Sequence, residues 1–222
     1  MKFGERLREQ REAAWASFYP DYDGLKDILT EMARTGQNKV YKGREGLVPH
    51  SIGSTEERIN AAGPSEAEFM RKLDAEISKV SKHYTSTGDK LRARVKECEA
   101  HYARVAAAAP NGVVSTPDAL EITNEVEQCE STLLKLDDFV NLSYSAFIKI
   151  LKKHDKNSSC PMLMTYCVKL QGEAFLERKL TSVIMSLSNV NAKLMGKEAK
   201  TEAQFDPNQA GGTSFVRRFF FF

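Results

Sequence analysis

Apolar positions recur at three and four residues over most of this chain, the period of helices laid against a core. The clearest run opens at Pro64-Ser65-Glu66, a helix start, and carries Phe69, Leu73, Ile77, Val80 and Tyr84, then Leu91 and Val95 towards Tyr102. Gly88 lies inside it and costs up to about 1 kcal/mol relative to alanine, too little to end the helix. A linker from Ala106 to Pro117, punctuated by Pro110, Asn111 and Gly112, separates this first long helix from a second that restarts at Asp118. Leu120, Ile122, Val126, Cys129, Leu133, Leu136, Val140 and Tyr144 mark the second, Ile148 and Leu151 continue its apolar side, and Asn157-Ser158-Ser159-Cys160-Pro161 stops it. The two long helices are read as antiparallel partners.

Before them, Glu5 to Arg11 is a charged helical run that closes on Trp15, Phe18 and Tyr19, and Pro20 ends that helix. Asp21 or Asp23 caps a second helix from Gly24 to Ala33, with Leu25, Ile28, Leu29 and Met32 as its apolar stripe, and Tyr22 and Lys26 one turn apart. Together they form a short helical hairpin. From Thr35 to Pro64 the pattern gives way to Gly, Pro, Ser, Asn and charge, which reads as a flexible insertion. Two shorter helical patterns follow the long pair, near Pro161 to Val168 and Phe175 to Met195, and after Gly196 the signal fades into a tail. The chain is therefore all-α, a domain over 1–195 with an insertion at 35–64 and a linker or tail at 196–222. It shows no internal repeat and no strand pattern.

One stretch interrupts the ordinary mixture of charges. At about 100° per residue, Lys149, Lys152, Lys153 and Lys156 fall at i, i+3, i+4 and i+7 on one narrow helix face. No acidic residue lies between Asp138 and Asp155. Like charges at this spacing weaken a helix by a few tenths of a kcal/mol per pair, so the cluster is a small folding liability that suits a polyanion. The competing reading is that lysines simply stand in water on the solvent side of the helix.

Composition narrows the choice. The 222 residues are 41% hydrophobic and 28% charged, ordinary globular values, and the net charge is only +2 from 32 basic and 30 acidic residues. No global field favours nucleic acid, so any anion site is local. Cys98, Cys129, Cys160 and Cys167 include no C-x-x-C pair, and no apolar leader opens the chain, which implies free thiols in a reducing, cytoplasmic compartment. No stretch approaches the roughly 18 to 20 apolar residues of a membrane span; Phe219 to Phe222 is too short.

Three separated stretches resemble one family. Met1-Lys2-Phe3-Gly4, the Tyr19-Pro20-Asp21-Tyr22-Asp23-Gly24-Leu25-Lys26 turn, and Tyr144 to Lys156 are similar, in order and at the ends of the corresponding helices, to the SPX domain. Glu68-Phe69 through Leu73-Asp74-Ala75-Glu76-Ile77 to Tyr84 resembles that family's first long core helix, so the likeness covers roughly residues 1 to 190. The resemblance implies an N-terminal helical hairpin packed on two long antiparallel helices, with one or two short C-terminal helices. It implies a receptor for inositol polyphosphates and pyrophosphates that reports phosphate status. Its phosphate-binding cluster corresponds to Tyr22, Lys26 and Lys153, its neighbouring lysine cluster to Lys149, Lys152 and Lys156, and its N-terminal lysine to Lys2. Ser214-Phe215-Val216-Arg217-Arg218 resembles the linker that precedes the catalytic tunnel of vacuolar transporter chaperone proteins, the polyphosphate polymerase complex, whereas Phe219 to Phe222 departs from it. The implied partners are the inositol phosphates together with a protein partner or a C-terminal domain, without nucleic acid, metal or cofactor. The implied place is the cytoplasm, or the cytosolic face of a vacuole or acidocalcisome through a parent protein.

The residues chemically suit the ligand. Lysines on flexible stems meet phosphates that share no plane as adjustable point charges, and Tyr22 adds a directional hydroxyl. Rival readings are a helical adaptor and the regulatory fragment of an enzyme. Catalysis inside the chain finds no support, because Glu121, Glu125, Glu127 and Glu130 spread around their helix as a solvated surface does. Cys98 and His101 share a helix face but lack further ligands at metal spacing, leaving a buried thiol and a surface imidazole. Trp15, Phe18 and Tyr19 are read as packing rather than a base-stacking platform. His154 is read as disfavouring its proton beside the lysines, or as an exposed residue without a role.

Overall fold

Among the described residues six α-helices and one 3-10 turn make up the regular structure, and no strand occurs. In order these are α1 (Phe3–Gln10), the 3-10 turn (Ala13–Phe18), α2 (Tyr22–Thr35), α3 (Pro64–Ala108), α4 (Thr116–Asn157), α5 (Leu163–Gln171) and α6 (Thr181–Leu194). The computed structural model describes residues 2–35, 64–109, 114–158, 161–176 and 180–196. The insertion expected at 35–64 and the tail at 196–222 lie, apart from their ends, outside the described residues.

The first helix is shorter than its charge pattern suggests. It ends at Gln10 because Arg11 and Glu12 turn extended, and the Glu12 amide donates to the Tyr19 hydroxyl at 3.1 Å instead of continuing the helix. α2 starts earlier than its apolar stripe, at Tyr22, where Asp21 is its cap: the Gly24 amide donates to the Asp21 carboxylate at 3.0 Å. α4 likewise starts at Thr116, before Pro117. Proline costs nothing in a first turn whose amides have no helical partner, and the Ser115 hydroxyl accepts from the Asp118 amide at 3.4 Å.

The chain divides into two compact units, Met1–His83 with Phe139–Glu177 and Tyr84–Asp138 with Arg178–Phe222; α3 and α4 each contribute to both. In the first unit α3 and α4 run antiparallel, since Glu66 near the start of α3 meets His154 near the end of α4, while His83 meets Phe139. The N-terminal hairpin packs on this pair. Trp15 and Tyr19 set ring edges against Phe139, and Phe18 stacks on His83 at 4.1 Å, which is the packing role expected for these aromatics. Leu25, Leu29, Phe69, Leu73, Ile77, Phe147, Ile150, Leu151, Leu170 and Phe175 fill the core. Each such side chain stabilises the fold by about 1.5–3 kcal/mol. A polar seam ties α2 to α3: Lys72 pairs with Asp21 at 2.8 Å, and the Asp21 amide donates to Glu76 at 2.7 Å.

The apolar side of α4 differs from the expected stripe. Phe139, Leu142, Ser143, Ala146, Phe147 and Ile150 are buried, whereas Tyr144 is 37% exposed and Ile148 half-buried. A run of four-residue steps through Val140, Tyr144 and Ile148 drifts about 40° per step around a helix of 3.6 residues per turn and leaves the core, which is followed by alternating three and four.

In the second unit Arg94 meets Gln128 at 2.7 Å and His101 meets Glu125 at 3.1 Å, so α3 and α4 are antiparallel there too. Leu91, Val95, Ile122, Val126, Leu133, Val183, Ile184 and Leu187 are its core, and Asn191 of α6 donates to Glu130. Cys98 is a buried thiol as expected, but His101 is half-buried against Glu125 rather than a surface imidazole. Gly196, at φ 69°, closes α6 in the left-handed conformation that glycine adopts without strain.

Candidate anion site at the lysine face

All seven residues singled out from the sequence belong to the first unit. Lys149, Lys152 and Lys156 are exposed and Lys153 half-buried, so the four-lysine face looks outward. Lys2 is exposed as the residue preceding α1, and its carbonyl accepts the Glu5 and Arg6 amides that begin that helix. Tyr22 opens α2, with Lys26 one turn later; both are half-buried.

Phe3 brings three of these segments together. The Lys149 ammonium lies 5.2 Å from the centroid of its ring, and the ring meets Tyr22 edge-on at 5.1 Å. α1, α2 and α4 thus converge on one aromatic side chain whose motif is visible in the sequence as Met1-Lys2-Phe3-Gly4 but whose role is not. Gly4 allows the approach: a Cβ there would stand 3.1 Å from an Asp23 carboxylate oxygen and 3.7 Å from the Tyr22 ring. Arg8 hydrogen-bonds Asp23, the acid that follows Tyr22 in the sequence. Burial pushes the Tyr22 phenol up from its ordinary value, reinforced by the Asp23 charge, so its hydroxyl keeps its proton and is a hydrogen-bond donor at neutral pH.

The electrostatics are lopsided. Among the described residues none of Lys2, Lys26, Lys149, Lys152, Lys153 and Lys156 forms an ion pair, although Lys72, Lys79 and Lys169 of the same unit each hold an acidic partner. The four lysines that share one face of α4 repel one another at this spacing.

Below the lysines is a polar network that sequence reasoning missed. His154 is fully buried rather than exposed. Its Nε2 meets Glu66 Oε1 at 2.6 Å, its Nδ1 meets Asp155 Oδ1 at 3.0 Å, and its ring stacks on Phe69 at 4.9 Å. Burial by itself drives the His154 pKa down, but the hydrogen bonds to Glu66 and Asp155 outweigh it and the net shift is upward, the reverse of the expectation from neighbouring lysines. The adjacent acid, Asp155, was the signal available in the sequence. Asp155 also caps α5, accepting the Met162 amide at 2.8 Å and the Leu163 amide at 3.1 Å.

No arrangement of three or more His, Cys, Asp or Glu suited to a metal occurs among the described residues, and no helix among them is long and apolar enough to cross a membrane.

No protein-family model matches the sequence. The chain is 24% identical over 223 residues to vacuolar transporter chaperone complex subunit 4 of Schizosaccharomyces pombe, an alignment that covers 98% of this chain and 27% of that protein. It is 25% identical over 235 residues to SPX domain-containing protein 1 of Oryza sativa subsp. japonica, covering 96% of this chain and 77% of the relative. The chain thus spans about a quarter of the first relative and about three quarters of the second. Among solved structures, the SPX domain of Chaetomium thermophilum glycerophosphodiester phosphodiesterase 1, in complex with inositol hexakisphosphate, superposes with a TM-score of 0.65 at 24% identity, covering 89% of this chain and all of that one. Helix order, the hairpin on the antiparallel pair and likeness along nearly the whole length agree: this chain has the fold of the SPX domain and is similar to proteins that carry it.

Proposed function

We propose that this chain is a receptor for inositol polyphosphates and pyrophosphates, which it binds at Lys2, Tyr22, Lys26, Lys149, Lys152, Lys153 and Lys156 and whose occupancy it relays to a protein partner or an attached domain. The observation that carries the reading is the set of six lysines without an ion-pair partner among the described residues, drawn from three segments of which two meet Phe3 directly. The solved structural neighbour was obtained with inositol hexakisphosphate, which supports the ligand class. Because the lysines are mostly exposed, charge supplies most of the affinity, so binding weakens with salt and strengthens with phosphate count. On this reading the chain binds and signals rather than catalyses.

A second reading, that it regulates polyphosphate synthesis as one portion of a larger assembly at the cytosolic face of a vacuole or acidocalcisome, draws on its likeness to the vacuolar transporter chaperone subunits.

Calorimetric titration with inositol hexakisphosphate and with an inositol pyrophosphate tests the receptor reading, using the wild type and a Tyr22→Phe, Lys26→Ala, Lys153→Ala triple variant at two salt concentrations. The expected result is binding by the wild type, a loss of at least about tenfold in the folded variant, and weaker binding at high salt. Equal binding by both, or by neither, overturns the reading and leaves a helical adaptor whose lysines are solvated surface.

A further inference from the structure

We propose that His154 is a positioning residue for the lysine face: its doubly hydrogen-bonded ring fixes the last turn of α4 against the first turn of α3, and the strength of that clamp depends on the proton the ring carries. The inference rests on the receptor reading, since it concerns how that site is held and tuned. The geometry itself is independent of any ligand. Both ring nitrogens face carboxylate oxygens, at 2.6 Å from Glu66 and 3.0 Å from Asp155. The ring satisfies both oxygens only by donating from both nitrogens, which is the imidazolium form. A neutral ring would point one lone pair at a carboxylate in a place water does not reach, because His154 is 0% exposed.

The hydrogen-bond partners of the ring and the aromatic stacked on it come from α3 and α4. Glu66 comes from α3, and its Oε1 also accepts the Ser158 hydroxyl at 3.0 Å. Phe69, also of α3, covers one face of the ring. Asp155 comes from α4 and extends to the Met162 and Leu163 amides at the start of α5. One buried imidazolium therefore bridges two carboxylates that join α3, α4 and α5, within the helical turn that bears Lys152, Lys153 and Lys156. Loss of its proton turns a cluster of net charge −1 into one of −2 and removes a donor. The helix end then loosens, and the lysines lose their fixed spacing. By linkage, a polyanion that favours the ordered face favours the protonated ring.

The test uses the whole chain, inositol hexakisphosphate as probe, and wild type beside His154→Gln and Lys149→Ala, from pH 6 to pH 8.5. Gln offers donors on one side only, so it keeps the Glu66 bond and not both. Because the probe loses protons over the same range, the difference between the His154→Gln and wild-type profiles is the readout. Amide exchange across residues 152–158 without ligand gives a second one. The expected result is affinity roughly tenfold weaker in His154→Gln at pH 6, with the two profiles converging as pH rises, and faster exchange in the variant at low pH only. Lys149→Ala should weaken binding by a factor that stays constant with pH. Parallel profiles and unchanged exchange in a folded His154→Gln, with the wild type binding, overturn the positioning role and leave the receptor reading standing. Absence of binding by every protein overturns the receptor reading, and the positioning role with it.

Discussion

Lys149 holds its ammonium over the Phe3 ring, 5.2 Å from the centroid, so a cation of the candidate site is parked on an aromatic from the first helix. A half-exposed cation–π contact is worth about 0.5–1 kcal/mol, small against the fold but large enough to set where a flexible side chain waits. Phe3→Ala is therefore expected to weaken inositol hexakisphosphate binding by about two- to fivefold, through Lys149 and the Tyr22 edge contact, with little loss of helix content by circular dichroism. Phe3→Tyr, which keeps a ring, should bind as the wild type does. Equal affinity in all three would show that Lys149 needs no seat.

Gly24 lies where α2 meets the Lys72–Asp21 pair. A Cβ there would collide with the Asp21 carboxylate and the Lys72 ammonium, the far ends of movable side chains. Gly24→Ala gains up to about 1 kcal/mol of helix propensity, yet displaces both the Asp21 cap and its ion pair, so the expected net is near zero or a destabilisation of about 1 kcal/mol in urea. The pH profile separates these contributions. The hydrogen bond from Lys72 lowers the Asp21 pKa below its ordinary 3.8, against an opposing effect of burial. A depressed folded-state value means that the stabilisation is complete above 3.8 and disappears as pH falls through the lower folded value. Wild type should lose that increment on acidification, and Gly24→Ala should show a flatter acid limb.

How far the sequence predicted this arrangement depended on the range of the interaction. Local chemistry was legible: Pro64 at a helix start and Asp21 as a cap each act within a turn of where they stand, whereas Pro20 follows a 3-10 turn and not the first helix, which has already ended at Gln10. The lysine face was legible because helix geometry alone puts four positions on one side. Contacts between distant segments were not. Nothing near Glu12 announces that its amide is taken by Tyr19, so the break after Gln10 was invisible. His154 was misjudged because its close sequence neighbours are lysines, while one of the two carboxylates that decide its charge, Glu66, lies 88 residues away. Phe3 was read as part of a motif, but only the meeting of α1, α2 and α4 gives it a purpose.

Cys98 and Cys129 are buried in the second unit. Burial, with the Cys129 thiol beside it, pushes Cys98 up to about 12, and burial raises Cys129 as well. The thiolate is the reactive form, so both should resist alkylation. Iodoacetamide at pH 8 followed by peptide mass mapping is expected to leave both unmodified in the native protein and to modify both once urea unfolds it. Rapid native-state labelling of either would contradict the packing of that unit.

The His154 clamp also predicts how folding stability depends on pH. Burial disfavours the charged ring, but the hydrogen bonds to Glu66 and Asp155 raise its folded-state pKa above the ordinary 6.5. A raised value means that the stabilisation is fully present below 6.5 and is lost as pH climbs through the higher folded value. Urea midpoints of the wild type should therefore decline on the alkaline side of neutrality more steeply than those of His154→Gln. Removing one partner from a buried charged cluster costs about 3–5 kcal/mol, so His154→Ala should be least stable relative to wild type near pH 6, and the gap should narrow as the wild-type ring gives up its proton. A gap that widens with pH would mean that the folded chain holds fewer protons than the unfolded one, so that the ring is buried neutral and its pKa lies below the ordinary value, against the clamp.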